Sequence, residues 1–313
     1  MTVQRVLFHY QAGERLTRRL RALAAHGLDV RIVAPEDPDG LERELPEADI
    51  LWHALAPVTA ALIGAAPRLR LIQKWGVGLN TIDLEAARAR GIMVANMPGT
   101  NSRAVAELTL LLMLACLRRL VELDPALRSG QWAPPLATME QLGELAGRRV
   151  GLVGMGAVPQ MLAPILTAMG AEPVYWSRRE RPDAPARFLP LSELLSTSDI
   201  VSLHLPLTEA TTGLVDVRAI KEGAILVNTA RGGLVDEPAL VEALRSGRLA
   251  AAGLDVFEAE PISSDNPLLA LPNVTVTPHL AWLTGETLER SLEVARRNAL
   301  SLQRGEPLLF QVA

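Results

Sequence analysis

From residue 150 onward the chain repeats one pattern: a short apolar run, then an amphipathic stretch long enough for a helix. The runs fall at 150–153, 173–176, 200–203, 224–228, 250–254 and 274–277. A strand buried on both faces reads as an unbroken apolar run, and parallel neighbours need a helical crossover between them. Six such strands match a dinucleotide-binding sheet. The first third repeats the style, with strands predicted at 6–10, 30–33, 50–52, 71–74 and 93–95 and helices at 14–26 and 84–90. The turn-rich segment 96–102 follows, with Asn101 or Ser102 suited to cap a long helix reaching Arg119. The first domain crossing is expected there. A final helix, 286–304, has no place in the second sheet and is expected to return to the N-terminal part. The expected fold class is therefore α/β, with two doubly wound parallel-sheet domains. A Rossmann dinucleotide-binding domain (100–283) is inserted in a flavodoxin-like substrate domain (1–99 and 284–313).

Composition narrows the classes of function. A chain of 313 residues suits two domains, and 49% hydrophobic with 21% charged residues describes a globular protein. The net charge of -4 offers no basic footprint for nucleic acid. The longest apolar run, 108–117, is bounded by Glu107 and Arg118 and is too short to span a bilayer, so no membrane association is expected. Met1-Thr2-Val3-Gln4-Arg5 leads straight into a strand without the apolar core of a signal peptide. The single cysteine, Cys116, excludes an internal disulfide and fits a reducing cytoplasm; its apolar helical setting reads as core packing. No metal site is read.

The first strand of the second domain ends in Gly151-Leu152-Val153-Gly154-Met155-Gly156-Ala157-Val158. Glycines there permit a tight turn and close backbone approach to a pyrophosphate, which then sits on the following helix N-terminus. Pro159 stands at the position usually held by a third glycine or an alanine. At the end of the next strand, an NAD site usually carries an acid for the ribose hydroxyls. This chain has Ser177-Arg178-Arg179 instead, followed by Arg181. A hydroxyl and two guanidiniums favour an extra phosphate, which a carboxylate would repel. The cofactor expected is NADP(H), with NAD(H) as the alternative; a merely solvated basic loop is the plain reading of the same residues.

Three charged residues in the C-terminal half carry the chemistry: Arg231 in Val227-Asn228-Thr229-Ala230-Arg231-Gly232-Gly233, Glu260 before Pro261, and His279 after Thr277-Pro278. Hydride delivery to a carbonyl carbon leaves negative charge on oxygen, so an acid must supply a proton there. Histidine is the natural donor near neutral pH, and a carboxylate beside it fixes its tautomer. Arginine presents a planar fork of donors that matches a carboxylate. The set suits reduction of a 2-keto acid. His204, in an apolar strand, reads as a packed hydrogen-bonded group, and for His53 a pocket-lining part is the weaker of two readings.

The long stretches Gly76-Val77-Gly78-Leu79-Asn80-Thr81-Ile82-Asp83, Leu145 to Gly156, His204-Leu205-Pro206-Leu207-Thr208 and the three charged segments occur in one order over nearly the whole length. In this the chain resembles the D-isomer-specific 2-hydroxyacid dehydrogenase family, in particular its glyoxylate and hydroxypyruvate reductases. The resemblance implies a homodimer of two-domain subunits with the active site in the interdomain cleft. It implies that Arg231 holds the substrate carboxylate and keto group, that Glu260 pairs with His279, and that His279 donates the proton in reduction. Backbone N–H groups of Val77 and Gly78 would bind the carboxylate, and Asp255 would contact the nicotinamide carboxamide. Pro206, Thr211, Thr229, Ala230, Arg231 and His279 would border the cofactor along with the Gly154–Val158 turn. Where the family often has a Gly-Ser pair after the histidine, this chain has Ala281-Trp282; Trp282 and Trp75 are expected to wall the substrate pocket. The leading reading is NADPH-dependent reduction of a small 2-keto acid such as glyoxylate or hydroxypyruvate. The alternatives are an NAD-dependent dehydrogenase of a larger acid such as 3-phosphoglycerate, and a dinucleotide-sensing binding protein.

Overall fold

A computed structural model describes residues 3–313; Met1 and Thr2, the start of the segment read as leaderless, lie outside the described residues. The described backbone divides into two compact units, residues 3–101 with 283–313, and residues 102–282. The turn up to Thr100 belongs with the first unit because Arg290, on the last helix, donates from Nε to the Thr100 carbonyl at 2.7 Å.

The first unit is built on strands β1 (Gln4–His9), β2 (Leu28–Val33), β3 (Ile50–His53), β4 (Leu71–Lys74) and β5 (Met93–Ala95). They form one parallel sheet in the order β2-β1-β3-β4-β5, the flavodoxin-like winding. Leu7, Leu51, Ile72 and Val94 pack on one face against Ile63, Ala66 and Ala87. The C-terminal helix Gly285–Arg304 belongs to this unit: Asn298 Nδ2 donates to Gln73 Oε1 at 2.6 Å, both side chains buried. The tail then runs beside β5, with Val94 N donating to Ala313 O at 2.8 Å.

The second unit holds β6 (Arg149–Val153), β7 (Glu172–Trp176), β8 (Arg187–Phe188), β9 (Ile200–Leu203), β10 (Ala224–Asn228), β11 (Leu249–Leu254) and β12 (Val274–Val276). All pair in parallel, in the order β12-β11-β10-β9-β6-β7-β8. This is the Rossmann order with one further strand, so the expectation of six strands is corrected to seven. The missed strand, β8, is two residues at a sheet edge and leaves no apolar run to read. Helix Ser102–Leu117 packs so closely on β11 that a Cβ at Gly253 would sit 2.8 Å from Leu112 Cβ. Among the described residues no helix is long and apolar enough to cross a membrane.

Candidate active site

In a parallel sheet every strand delivers its next loop to the same edge, and ligands of open α/β sheets gather at the C-terminal edge. The second unit delivers there the turn after β6 (Gly154–Val158), Ser177 after β7, His204 and Pro206 after β9, Thr229–Arg231 after β10, Asp255 after β11 and His279 after β12. The candidate residues, scattered over 126 positions of sequence from Gly154 to His279, thus share one rim.

His279 is the best braced of them. Its backbone is left-handed, φ 53°, a conformation that costs a non-glycine residue about 1 kcal/mol or more. Asp255 holds the loop in that shape: its Oδ1 accepts from Thr277 Oγ1 at 2.6 Å and from Leu280 N at 2.9 Å, and its Oδ2 accepts from Ala281 N at 2.9 Å. His279 N donates to the Asp255 carbonyl at 2.8 Å. Asp255 is completely buried, and that burial pushes its carboxyl pKa up despite the donors around it. Both oxygens are engaged by the loop, so Asp255 braces His279. The Trp282 indole adds a bond, Nε1 to His279 O at 3.1 Å. Trp282 is only 7% exposed and buttresses the histidine from within.

Glu260 meets the ring, with His279 Nδ1 donating to Glu260 Oε2 at 2.6 Å. Glu260 Oε1 accepts from Phe257 N at 3.0 Å, which fixes the carboxylate. Burial pushes its pKa up, but the hydrogen bond and charge of His279, the Phe257 N–H and Arg231 outweigh it and leave the group below the usual carboxylate range. Because Nδ1 is held, Nε2 is the atom left to carry a proton outward.

Arg231 occupies the turn after β10. Asn228, itself buried, brackets that turn: its Nδ2 donates to Arg231 O at 2.9 Å and its Oδ1 accepts from Ala230 N at 3.0 Å. Burial lowers the Arg231 pKa, while the charge of Glu260 opposes that. Gly232 is required beside it, since a Cβ there would land inside the Phe257–Glu258 backbone. The Thr229 hydroxyl bonds the Thr109 hydroxyl at 2.8 Å and is nearly buried. Thr211 likewise faces inward: its Oγ1 donates to Pro206 O at 2.7 Å and accepts from Thr208 N at 2.8 Å, closing the loop that starts at Pro206.

The Gly-rich turn is tight for a visible reason. Gly154 has φ 109°, and a Cβ there would lie 2.5 Å from the His204 carbonyl oxygen. Gly156 caps helix Ala157–Ala168, with open space around it, while the Met155 side chain is buried in the core. Pro159 sits in the helix's first turn and is buried, where a missing N–H costs no intrahelical bond. Ser177 Oγ donates to Arg179 O at 2.6 Å. Arg178 and Arg179 are exposed. Arg181, which the sequence reading left outside the phosphate-binding set, donates from Nη1 to the Met155 carbonyl inside the turn. Tyr175 anchors it, the Tyr175 hydroxyl accepting from Arg181 N at 2.7 Å.

His204 bonds Ser202 Oγ at 3.0 Å, and burial of its ring pushes its pKa down to about 3, so it stays neutral. Cys116 is buried, which raises its thiol to about 11. Among the described residues no group of three or more His, Cys, Asp or Glu could hold a metal ion.

In the first unit the loop after β4 carries Gly76, Val77 and Gly78. Met97 N donates to Gly76 O at 2.9 Å and Asn96 Nδ2 donates to Val77 O at 3.0 Å. In a trans peptide the N–H points opposite to the carbonyl before it. The Val77 and Gly78 amides therefore turn away from Met97 and Asn96, and neither has an acceptor among the described residues. Trp75 is 2% exposed, its ring 4.9 Å from Phe8 and 5.7 Å from Trp52. It packs in the core beside Phe8 and Trp52. His53 is completely buried at the end of β3.

Residues 110–281 match the family model of the D-isomer specific 2-hydroxyacid dehydrogenase NAD binding domain. A glyoxylate reductase of Korarchaeum cryptofilum is 39% identical over 282 residues, 87% of this chain and 85% of that protein. A D-3-phosphoglycerate dehydrogenase of Mycobacterium leprae is 39% identical over 299 residues, 93% of this chain but 56% of that protein, so the chain spans about half its length. The crystal structure of the TT0316 protein from Thermus thermophilus superposes with a TM-score of 0.88 at 41% identity, covering 99% of this chain and 100% of that one. The sequence match over most of both lengths, the shared fold and the family model agree: the chain belongs to the D-isomer specific 2-hydroxyacid dehydrogenases, oxidoreductases that act on CH–OH donors with a nicotinamide dinucleotide.

Proposed function

We propose that this protein reduces a small 2-keto acid, glyoxylate or hydroxypyruvate, to the D-2-hydroxy acid with NADPH. The observation that carries the reading is the 2.6 Å bond between His279 Nδ1 and Glu260 Oε2, with Arg231 close enough for its charge to act on Glu260. The bound dinucleotide supplies the hydride. Arg231 offers its fork of N–H donors to the substrate carboxylate and keto oxygen. As the carbonyl carbon is reduced, His279 gives the proton at Nε2 to the developing alkoxide, and Glu260 keeps the ring aligned and steadies its charge. In the oxidative direction the same nitrogen takes the proton back. In the first unit, the Val77 and Gly78 amides are neutral donors suited to a carboxylate.

The residues fit a dinucleotide. The cradle at Gly154 leaves no room for a side chain, and Gly156, Ala157 and Val158 open a helix whose first amides suit a pyrophosphate. Ser177, Arg178 and Arg179 would take the 2′-phosphate, and Arg181, anchored at the Met155 carbonyl, adds a further positive charge beside the turn. NADPH is preferred on this account over NADH. Exchanging Ser177 for Asp and Arg178 for Ala together should move the ratio of kcat/KM with NADPH to that with NADH toward NADH by about 100-fold, through lost charge-assisted bonds and new repulsion. An unmoved ratio refutes the phosphate assignment.

A larger phosphorylated acid is the weaker reading. Lys74, the basic residue nearest the Gly76–Gly78 loop in sequence, is buried and spends its ammonium on internal acceptors. A homodimer, cytoplasmic in setting, completes the reading. It is supported by the exposed apolar side chains Leu111, Leu120, Leu127, Leu136 and Trp132, the last 86% exposed, which a second subunit would cover.

A further inference from the structure

The C-terminal tail reaches the loop after β4 through two buried amide side chains. Gln73 lies on β4 and Asn298 on the helix Gly285–Arg304, and both are completely buried. Asn298 pairs with one residue of the tail: its Oδ1 accepts from Leu309 N at 2.7 Å and its Nδ2 donates to Leu309 O at 3.0 Å. The second Nδ2 proton goes to Gln73 Oε1 at 2.6 Å. Gln73 Nε2 then faces three main-chain carbonyls, Lys74 O and Ala95 O at 3.2 Å and Asn96 O at 3.3 Å. These partners fix both amides. The Leu309 N–H can only donate, so it meets the Asn298 oxygen; the three carbonyls can only accept, so they meet the Gln73 nitrogen. An apolar side chain at either position would leave buried main-chain groups unpaired.

The network ends at the loop Gly76–Gly78. Lys74 O lies just before that loop, and Asn96 holds it from outside, its Nδ2 donating to Val77 O at 3.0 Å. Asn96 N donates in turn to Phe310 O at 3.2 Å. Asn96 is therefore gripped by the tail at its N–H and by Gln73 at its carbonyl, while its side chain grips the loop. Phe310 is left-handed, φ 54°, a shape a non-glycine residue keeps only where its surroundings impose it. Here Asn298 holds Leu309 before it, Asn96 holds its carbonyl, and Val312 N donates to Val94 O at 2.8 Å beyond it. A fully satisfied buried polar network fixes one arrangement where apolar packing tolerates several.

We propose that Gln73 and Asn298 are positioning residues for the substrate: they carry the placement of the C-terminal tail to Asn96, and so hold the Val77 and Gly78 amides in the geometry that receives the 2-keto acid. This rests on the reading that those amides take its carboxylate. Gln73 and Asn298 act through the main chain of Lys74 and Asn96, with no contact of their own to substrate. The amides serve ground state and transition state alike, so loss of the relay raises KM and leaves kcat nearly unchanged.

The test is steady-state reduction of glyoxylate by the full chain at saturating NADPH, in Gln73→Leu, Leu309→Pro and the double variant. Leu309→Pro removes the tail N–H that orients Asn298. Ile63→Ala is the control. Ile63 packs with Ile72, whose side chain points to the face of the sheet opposite Gln73, so the change loosens the same unit without touching the relay. Folding is checked by circular dichroism. The expected result is a KM about ten-fold higher in each single variant, with kcat and the NADPH dissociation constant within about three-fold of native. The double variant should be no worse than the worse single, because the two links act in series. Ile63→Ala should keep the native KM. An unchanged KM in Leu309→Pro, effects that multiply in the double variant, or an equal rise in Ile63→Ala would overturn the proposal. If Gln73→Leu does not fold, Leu309→Pro against Ile63→Ala decides alone. A native protein that reduces no 2-keto acid and binds no oxamate would sink the carboxylate reading itself, a result distinct from a native KM retained in the variants.

Discussion

His279→Ala lowers kcat for 2-keto acid reduction by about 10³-fold while NADPH binds with nearly native affinity. The size follows from removal of a positioned general acid, which contributes about 10²–10⁴-fold. The selectivity follows from the structure: the ring's bond is to Glu260, whereas the Gly154–Val158 turn belongs to a different strand end. The backbone should hold, because Asp255 engages Thr277, Leu280 and Ala281 through groups that alanine at 279 leaves in place. The check is steady-state kinetics beside a fluorescence titration with NADPH. Turnover within a few-fold of native would take His279 out of the mechanism. A parallel loss of NADPH affinity would instead mean that the loop had collapsed.

Gly232→Ala is the second large effect, and it acts through space alone. The added methyl would fall within the Phe257–Glu258 backbone, which cannot swing aside as a flexible side chain would. Relief requires the Arg231 turn to part from the segment that sets Glu260 through Phe257 N. We expect the second unit to lose about 3 kcal/mol or more of stability, above the usual range for overpacking because the clash is with main chain. A shift of Arg231 by about 1 Å should cost a further 100-fold in kcat/KM. Gly285→Ala serves as the control, since a Cβ there meets nothing within 4 Å. Urea denaturation and kinetics on both variants decide the matter; native stability and native kcat/KM in Gly232→Ala would contradict the packing.

Much of the architecture was readable because buried parallel strands write themselves as apolar runs. Residues 200–203 and 224–228 are strands over the same residues in the structure. Arg187–Phe188 escaped because pairing with β7, not composition, makes it a strand. The site was legible only where a residue carries its chemistry in its own type, as His279, Glu260 and Arg231 do. The bracing by Asp255 was not legible: its loop contacts come from residues more than 20 positions away, and nothing local announces them. The packing of Trp75 and Trp282 was not legible for the same reason: both are buried, one on Phe8 and Trp52 and the other bonded to the His279 carbonyl. Arg181 belonged to what could be read as a solvated basic loop until the fold brought it to Met155 O.

The most direct test of the central claim is the initial rate of NADPH and NADH oxidation by the native protein, followed by loss of reduced-nicotinamide absorbance. The substrates are glyoxylate, hydroxypyruvate and bulkier 2-keto acids. The account predicts fast NADPH-linked reduction of the two small acids, with NADH poorer and the bulky acids slower. Turnover confined to bulky acids, or a preference for NADH, would contradict it while leaving the family membership intact.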